Sequence, residues 1–314
     1  MLFFLLLSLF LFSPSFSSPT LSATVRCNPS DKNALLAFQK FLYIPSDLPS
    51  WDLRTDCCKW TYVHCDPLTN RVTQLVITSI NTGQFPVARG PIPAAVGDLP
   101  YLETLSFNDI INLTGSIPYS ITKLQNLKRL VISGTTLSSS IPEFLGQLKN
   151  LEYLDLSANE LFGSIPASLG NLGRLVSLEL QSNKLTGKIP NSLGRLNPEA
   201  IVLSDNKLSG DASMLFSADG RARWINLSGN RLEFDLSKVM FQRNLTFLSL
   251  SYNRIGGSIP EQVTELNLIQ VFDVSYNRLC GKIPVGGRLQ QLGAPPFLHN
   301  RCLCGPPLFK KCKA

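Results

Sequence analysis

An asparagine returns every 23 or 24 residues through the middle of this chain. Asn159, Asn183, Asn206, Asn230, Asn253 and Asn277 stand 24, 23, 24, 23 and 24 residues apart, and Thr135 takes the same place one period earlier. Each sits in a segment such as Leu151-Glu-Tyr-Leu154-Asp-Leu156-Ser-Ala-Asn159-Glu-Leu161. An Ile-Pro dipeptide keeps the same clock at Ile92, Ile117, Ile141, Ile165 and Ile189, then returns at Ile259 and Ile283. Ala212 and Leu236 fill the two slots between. Such self-similarity means that no unit buries its apolar face alone, so each must stack on its neighbours.

A period in the twenties carrying Leu-x-x-Leu-x-Leu-x-x-Asn-x-Leu is the leucine-rich repeat. Side chains alternate across a strand, so Leu154 and Leu156 point inward while Tyr153, Asp155 and Ser157 point out. Stacked units then build an α/β repeat solenoid, a right-handed leucine-rich-repeat superhelix. A parallel sheet lines its concave side, short 3-10 or helical segments its convex side, and a leucine core lies between. Nine repeats of about 24 residues fit between residues 71 and 291, the first irregular, with an insertion around Asn81 to Pro86. The ladder asparagines are expected to turn their amides inward, onto backbone groups freed where each strand ends. The glycines and prolines of Gly163-Ser-Ile-Pro166 and Gly187-Lys-Ile-Pro190 are turn chemistry.

A solenoid must close both ends. Residues 24–70 are expected to form an N-terminal cap, with an amphipathic helix from Asn33 to Phe41 and bulk from Trp51 and Trp60. Residues 292–314 form the C-terminal cap. Eight cysteines fall in two terminal groups: Cys27, Cys57, Cys58 and Cys65, then Cys280, Cys302, Cys304 and Cys312. Of these, Cys280 lies within the last repeat. In an exported chain that split reads as two stapled ends around a cysteine-free middle. Zinc is the alternative, but neither group holds a second close ligand pair, and His64 and His299 read as ordinary cap residues. No metal or other cofactor is expected.

Export follows from residues 1–23. Leu2 to Phe12 is almost wholly apolar, small residues run from Ser13 to Ala23, and no charge precedes Arg26. That is a secretory signal peptide without the usual basic start. The run is short for a membrane anchor, and no later segment approaches a bilayer span. Three sequons, Asn112-Leu-Thr114, Asn226-Leu-Ser228 and Asn244-Leu-Thr246, are glycosylation candidates; proline excludes Asn28-Pro-Ser30. The formal charge of +7 is scattered rather than gathered in one run. It favours acidic partners, and outside the cell those are acidic polysaccharide or an acidic protein surface rather than nucleic acid.

The residue between the two inward positions of successive strands gives one concave row: Ser106, Val131, Asp155, Glu179, Val202, Asn226, Ser249 and Asp273. Outward residues flanking it include Glu103, Glu152, Tyr153, Gln181, Trp224, Phe247, Tyr252 and Tyr276. Aromatics and carboxylates together on a rigid sheet suit a protein-binding surface, and large aromatics are costly to expose for solubility alone. Asp155 and Glu179, on adjacent strands, would stand ~5 Å apart, close to the pair of a retaining glycosidase. An open face encloses no sugar and offers no burial to raise a carboxyl pKa, so no catalytic residue and no enzyme activity is expected. The residue after each ladder asparagine gives a second row: Glu160, then the bases Lys184, Lys207, Arg231, Arg254 and Arg278. Such a row could track the repeating carboxylates of demethylated pectin; the plainer reading is a solubilising edge.

The Leu-x-Gly-x-Ile-Pro form of the repeat resembles the plant-specific leucine-rich repeat. Cys57-Cys58-Lys-Trp60-Thr-Tyr-Val63-His-Cys65 resembles its N-terminal cap. Val274-Ser-Tyr-Asn277-Arg-Leu-Cys280-Gly-Lys-Ile-Pro284-Val-Gly-Gly-Arg288-Leu-Gln and His299-Asn-Arg-Cys302-Leu-Cys304-Gly resemble the C-terminal end of polygalacturonase-inhibiting proteins. So do Gly210-Asp-Ala-Ser213 and Leu232-Glu-Phe-Asp-Leu-Ser-Lys238. The likeness covers essentially the whole chain after residue 23. It implies a secreted plant cell-wall defence protein that inhibits fungal polygalacturonase through its concave face. Asp155 would face basic substrate-binding groups of the enzyme, and the basic row would bind polygalacturonate. The likeness also implies disulfides Cys27–Cys57, Cys58–Cys65, Cys280–Cys302 and Cys304–Cys312; a monomer is expected. There is one departure. The family typically carries ten repeats and this chain nine, lacking one near Asn197 to Ser209, which shifts later binding residues by ~4.8 Å, one strand spacing. A recognition module for a peptide, receptor or glycan, without inhibitory activity, shares the fold and face and is the alternative.

Overall fold

The computed structural model describes residues 27–43, 51–78 and 87–312. The signal-peptide segment and the insertion around Asn81 to Pro86 lie outside the described residues.

Each regular coil starts from its Ile-Pro dipeptide. The isoleucine is buried, as Ile165 is, and the proline holds an extended backbone at Pro118, Pro142, Pro166 and Pro190. A single 3-10 turn follows, Ala167–Asn171 for example, closed where the Leu172 N–H donates to the Leu169 carbonyl. A short strand comes next. Nine of these among the described residues pair in parallel: β1 (Val72–Thr78), β2 (Thr104–Asn108), β3 (Arg129–Ser133), β4 (Tyr153–Asp155) and β5 (Ser177–Glu179), then β6 (Ala200–Val202), β7 (Trp224–Asn226), β8 (Phe247–Ser249) and β9 (Val271–Asp273). Their inward residues align coil on coil, Leu154 against Leu130 and Leu178, and Leu178 against Ile201. Val63–Cys65 adds an antiparallel edge strand to β1. A second, four-stranded parallel sheet forms from Phe162–Gly163, Lys184–Lys188, Lys207–Gly210 and Arg231–Leu232. Among the described residues no helix is long and apolar enough to cross a membrane.

Between the two sheets the chain turns sharply. The residue before each ladder position is left-handed: Ala158 (φ 51°), Ser182 (56°), Asp205 (54°), Tyr252 (54°) and Tyr276 (53°), with glycine doing the same at Gly134 and Gly229. The asparagine then bonds the backbone groups that the turn frees. The Asn183 Nδ2 donates to the carbonyls of Leu156, Leu180 and Gln181, and its Oδ1 accepts the Leu161 N–H. Asn206, Asn230, Asn253 and Asn277 bond in the same pattern, while Asn159 Oδ1 takes the Thr135 hydroxyl.

At the N-terminal end, helix α1 spans Pro29–Phe41. It begins at Pro29 rather than the expected Asn33, because Asn28 caps it through the Ser30 N–H and proline suits a first helical turn. Asp31 of α1 is 1% exposed. It accepts two bonds from the Arg71 guanidinium, at 2.7 and 3.0 Å, and one from the Val72 N–H at 2.8 Å, tying the helix to β1. Trp51 and Trp60 stack at 5.0 Å. Disulfides join Cys27 to Cys57 and Cys58 to Cys65 at this end, and Cys280 to Cys302 and Cys304 to Cys312 at the other.

The coil pattern runs past the expected boundary at residue 291. The Val274 and Tyr276 N–H groups donate to the Pro296 and Leu298 carbonyls, as in any coil pair. Asn300 behaves as a ladder residue: Oδ1 accepts the Leu279 N–H, and Nδ2 donates to the Val274, Phe297 and Leu298 carbonyls. Asn300 keeps a 23-residue step from Asn277, but prolines and cysteines stand where leucines would mark the repeat.

Candidate binding faces

Strand register sorts the concave face into rows. The first outward position carries Thr104, Arg129, Tyr153, Ser177, Ala200, Trp224, Phe247 and Val271 on successive strands. The Arg129 guanidinium lies 3.8 Å from the Tyr153 ring centre. Trp224 and Phe247 stack at 3.8 Å with 4° between their planes. Side chains directly opposed on adjacent strands are about one strand spacing apart, so two flat rings there meet face to face. Trp224 stays 44% exposed and Val271 38%.

Asp155 and Glu179 are register partners in the second row. The Asp155 Oδ1 accepts the Ser157 N–H at 2.9 Å, and Asp273 accepts the Ser275 N–H likewise. Glu179 accepts from the Ser177 hydroxyl at 3.1 Å and from Gln181 Nε2 at 3.4 Å. These carboxylates are half-buried, as are Val131, Val202 and Asn226. Ser106 and Ser249 differ from expectation, being buried. A serine is too short to stand above its neighbours, and its hydroxyl turns to the sheet, toward Asn108 Nδ2 for Ser106 and the Ser251 hydroxyl for Ser249.

Glu103 and Glu152 precede their strands. Glu103 pairs with Lys128 at 2.8 Å, and that hydrogen bond pushes the lysine above its ordinary pKa. Tyr252 also departs from the expected face. Its left-handed turn breaks the in–out alternation and carries it off the sheet, into a stack of Tyr252, Tyr276 and His299 with 4.1 Å between successive rings. The Tyr276 hydroxyl beside it pushes the Tyr252 hydroxyl above its usual range.

Lys184, Lys207, Arg231, Arg254 and Arg278 are all exposed. Lys184 pairs with Glu160 at 3.1 Å and Arg278 with Glu233 at 3.5 Å. Lys207, Arg231 and Arg254 form no salt bridge among the described residues. Lys184 registers with Phe162, Lys207 with Thr186 and Arg231 with Ser209, so the row crosses the second sheet obliquely. The coil around Asn300 adds one more exposed base, Arg301. Counting repeats only to residue 291 hides it; the step from Asn277 would have found it. An open hollow of about 740 Å³ lies among Arg254, Arg278 and Arg301. Of the sequons, Asn112 is exposed, Asn226 stands in concave strand β7, and Asn244 is half-buried, its Nδ2 donating to the Arg221 carbonyl at 2.9 Å.

Known proteins match along the same lines. The leucine rich repeat N-terminal domain pattern matches residues 28–66, and leucine rich repeat patterns match residues 125–185 and 244–266. Polygalacturonase inhibitor 1 of Arabidopsis thaliana is 55% identical over 309 residues, covering 90% of this chain and 92% of its own. The polygalacturonase inhibitor of Vitis vinifera is 52% identical over 320 residues, covering 94% of each chain. The chain belongs to the polygalacturonase-inhibitor family. Polygalacturonase inhibitors are inhibitory leucine-rich-repeat proteins rather than enzymes, and Asp155 and Glu179 are accordingly no catalytic pair. The solenoid of this family member also superposes on a solved plant ice-binding protein, with a TM-score of 0.76 at 40% identity, over 92% of this chain and 99% of that one.

Proposed function

We propose that this protein works outside the plant cell as a defence protein, binding fungal polygalacturonase with its concave face and so inhibiting it. The observation that carries the reading is the row of exposed Trp224, half-buried Phe247 and exposed Val271 alongside the carboxylates Asp155, Glu179 and Asp273. Stacked, rigid aromatics offer large contact area with little rotamer entropy to lose, the profile of a binding hot spot. A polygalacturonase cleft holds a polyanion and so carries cations; Asp155 and Glu179 offer the opposite charge. The flanking Glu103, Val131, Glu152, Tyr153, Gln181, Val202 and Asn226 fill out the contact. Covering a cleft with a rigid surface of ~800 Å² per partner needs no chemistry. A glycan on Asn226 would block this face, so the inhibitory form carries none there.

The test titrates purified protein into a panel of fungal polygalacturonases and counts new reducing ends. Inhibition that Trp224→Ala weakens supports the reading. Silence across the panel sinks it in favour of a recognition module for a peptide, receptor or glycan.

A second reading rests on the bases that form no salt bridge among the described residues. Lys207, Arg231 and Arg254, with Arg301 beyond them, bind demethylated pectin and hold the protein in the cell wall. Binding to polygalacturonate is then expected to weaken as salt rises. A Lys207→Ala, Arg231→Ala, Arg254→Ala variant should lose most of it, and full retention by that variant refutes the assignment.

A further inference from the structure

Three core positions break the leucine pattern, and they break it together. Three residues before the first inward strand position stand Leu127, Leu151, Leu175, Leu245 and Ile269, but Pro198 and Ala222 occupy this column in coils β6 and β7. Six residues before it stand Leu124, Leu148, Leu172 and Leu266, but coils β6 and β7 have exposed Arg195 and Asp219 there, and coil β8 has buried Gln242. Pro198, Ala222 and Gln242 all line one cavity of about 250 Å³, behind the strands that carry Val202 and Trp224. Its other walls include Leu193, Leu196, Ile201, Met214 and Leu215, and exposed Arg195 and Asp219 stand at its rim.

Gln242 is 1% exposed. Its Nε2 reaches the Leu215 carbonyl at 3.4 Å, while its Oε1 has no hydrogen-bond partner among the described residues. The neighbouring Gly220 makes room for this amide, since a Cβ there would come within 2.5 Å of the Gln242 Cγ. A buried acceptor without a partner costs stability, and so does a void where leucines normally pack. One occupant would answer both. Leu193, Leu196, Ile201, Met214 and Leu215 offer a ring apolar contact beside the polar lining of Asn197, Ser217 and Gln242, and an apolar cavity of ~150 Å³ already suffices for benzene.

We propose that this cavity is a small-molecule site, taking a compact, uncharged ring compound that carries a single N–H or O–H donor for Gln242 Oε1. The larger volume suits a fused bicycle, and Met214 gives the wall an adaptable side chain.

The test compares indole, which has the donor, with its near-isostere benzofuran, which lacks it, by calorimetry and ligand-observed NMR on the intact protein. Indole is expected to bind saturably, to raise the unfolding temperature and to show NOEs to the Met214 and Ala222 methyls. Benzofuran should bind about tenfold more weakly or worse, because it leaves the acceptor unpaired. Ala222→Leu fills the cavity and should abolish binding of both. Gln242→Leu should erase the preference for indole. No indole binding, equal binding of the two compounds, or indole binding that survives Ala222→Leu would each overturn the proposal. The NOEs decide the matter without any variant if a substitution impairs folding.

Discussion

Replacing Asn230 by alanine isolates what one rung of the asparagine ladder contributes. Its Nδ2 donates to the carbonyls of Leu203 (2.9 Å), Leu227 (3.2 Å) and Ser228 (3.1 Å), and its Oδ1 accepts the Leu208 N–H at 3.0 Å. These four partners are not equally exposed to the loss. The Leu203 carbonyl keeps Asn206 Nδ2, the Leu227 carbonyl keeps Asn253 Nδ2, and the Ser228 carbonyl keeps the Asp205 N–H. Only the buried Leu208 N–H is orphaned. Orphaning a buried donor costs about 1–3 kcal/mol, and thinning three shared bonds adds about 1 kcal/mol, or roughly 3 kcal/mol together. In a solenoid that cost falls first on the coil and its neighbours. Amide hydrogen exchange reads it directly: the Leu208 amide should lose protection by about 100-fold, with a smaller loss one coil away at Leu185. Asn230→Asp keeps the acceptor but sets a carboxylate oxygen against three carbonyls, and should be worse than alanine at neutral pH. If Leu208 stays protected in Asn230→Ala, or aspartate is tolerated better than alanine, the rung does not hold the turn in this way.

Asp31→Ala strands the Arg71 guanidinium and the Val72 N–H, and should cost about 3 kcal/mol in thermal unfolding; Asp31→Asn, which keeps an acceptor, should cost less. Trp224→Ala combined with Phe247→Ala should weaken polygalacturonase inhibition by about 2–4 kcal/mol while leaving the melting temperature nearly unchanged, because the pair packs on the surface rather than in the core; a large fall in melting temperature would refute that separation. Hydrogen bonding from the Arg54 side chain, then its backbone N–H, lowers Asp52 to a pKa of about 2. Its folded-state value is depressed, so the contribution it makes is present above its unperturbed value of 3.8 and is lost as pH falls toward 2. A carbon-13 titration of the Asp52 carboxyl should therefore show a midpoint near 2; an unshifted midpoint counts against the Arg54 contact.

The fold was legible because its period admits one solution: leucines at strand spacing, a proline-led turn and an inward asparagine can be satisfied only by stacking. The candidate binding faces were less so, for reasons that act between coils. Alternation places Tyr252 among outward residues, but the sign of φ at the residue before the ladder asparagine is invisible in a strand pattern, and it moves that tyrosine to the edge. Ser249 sinks because of the height of its neighbours, which no single repeat contains. Arg301 escapes because the last coil has exchanged its marker leucines for cysteines and prolines, although its asparagine still bonds as the others do. The ladder also explains why the outward rows can vary at all. An asparagine whose amide is committed inward turns both its neighbours out, as in Tyr252-Asn253-Arg254, Tyr276-Asn277-Arg278 and His299-Asn300-Arg301. The stack tolerates tyrosine, histidine, aspartate or glycine before the asparagine, and lysine, arginine or glutamate after it, because none of these side chains enters the core. The residues that make the repeat recognisable are thus the ones committed to the core and its turns, and the residues proposed to meet a partner are those the period leaves free.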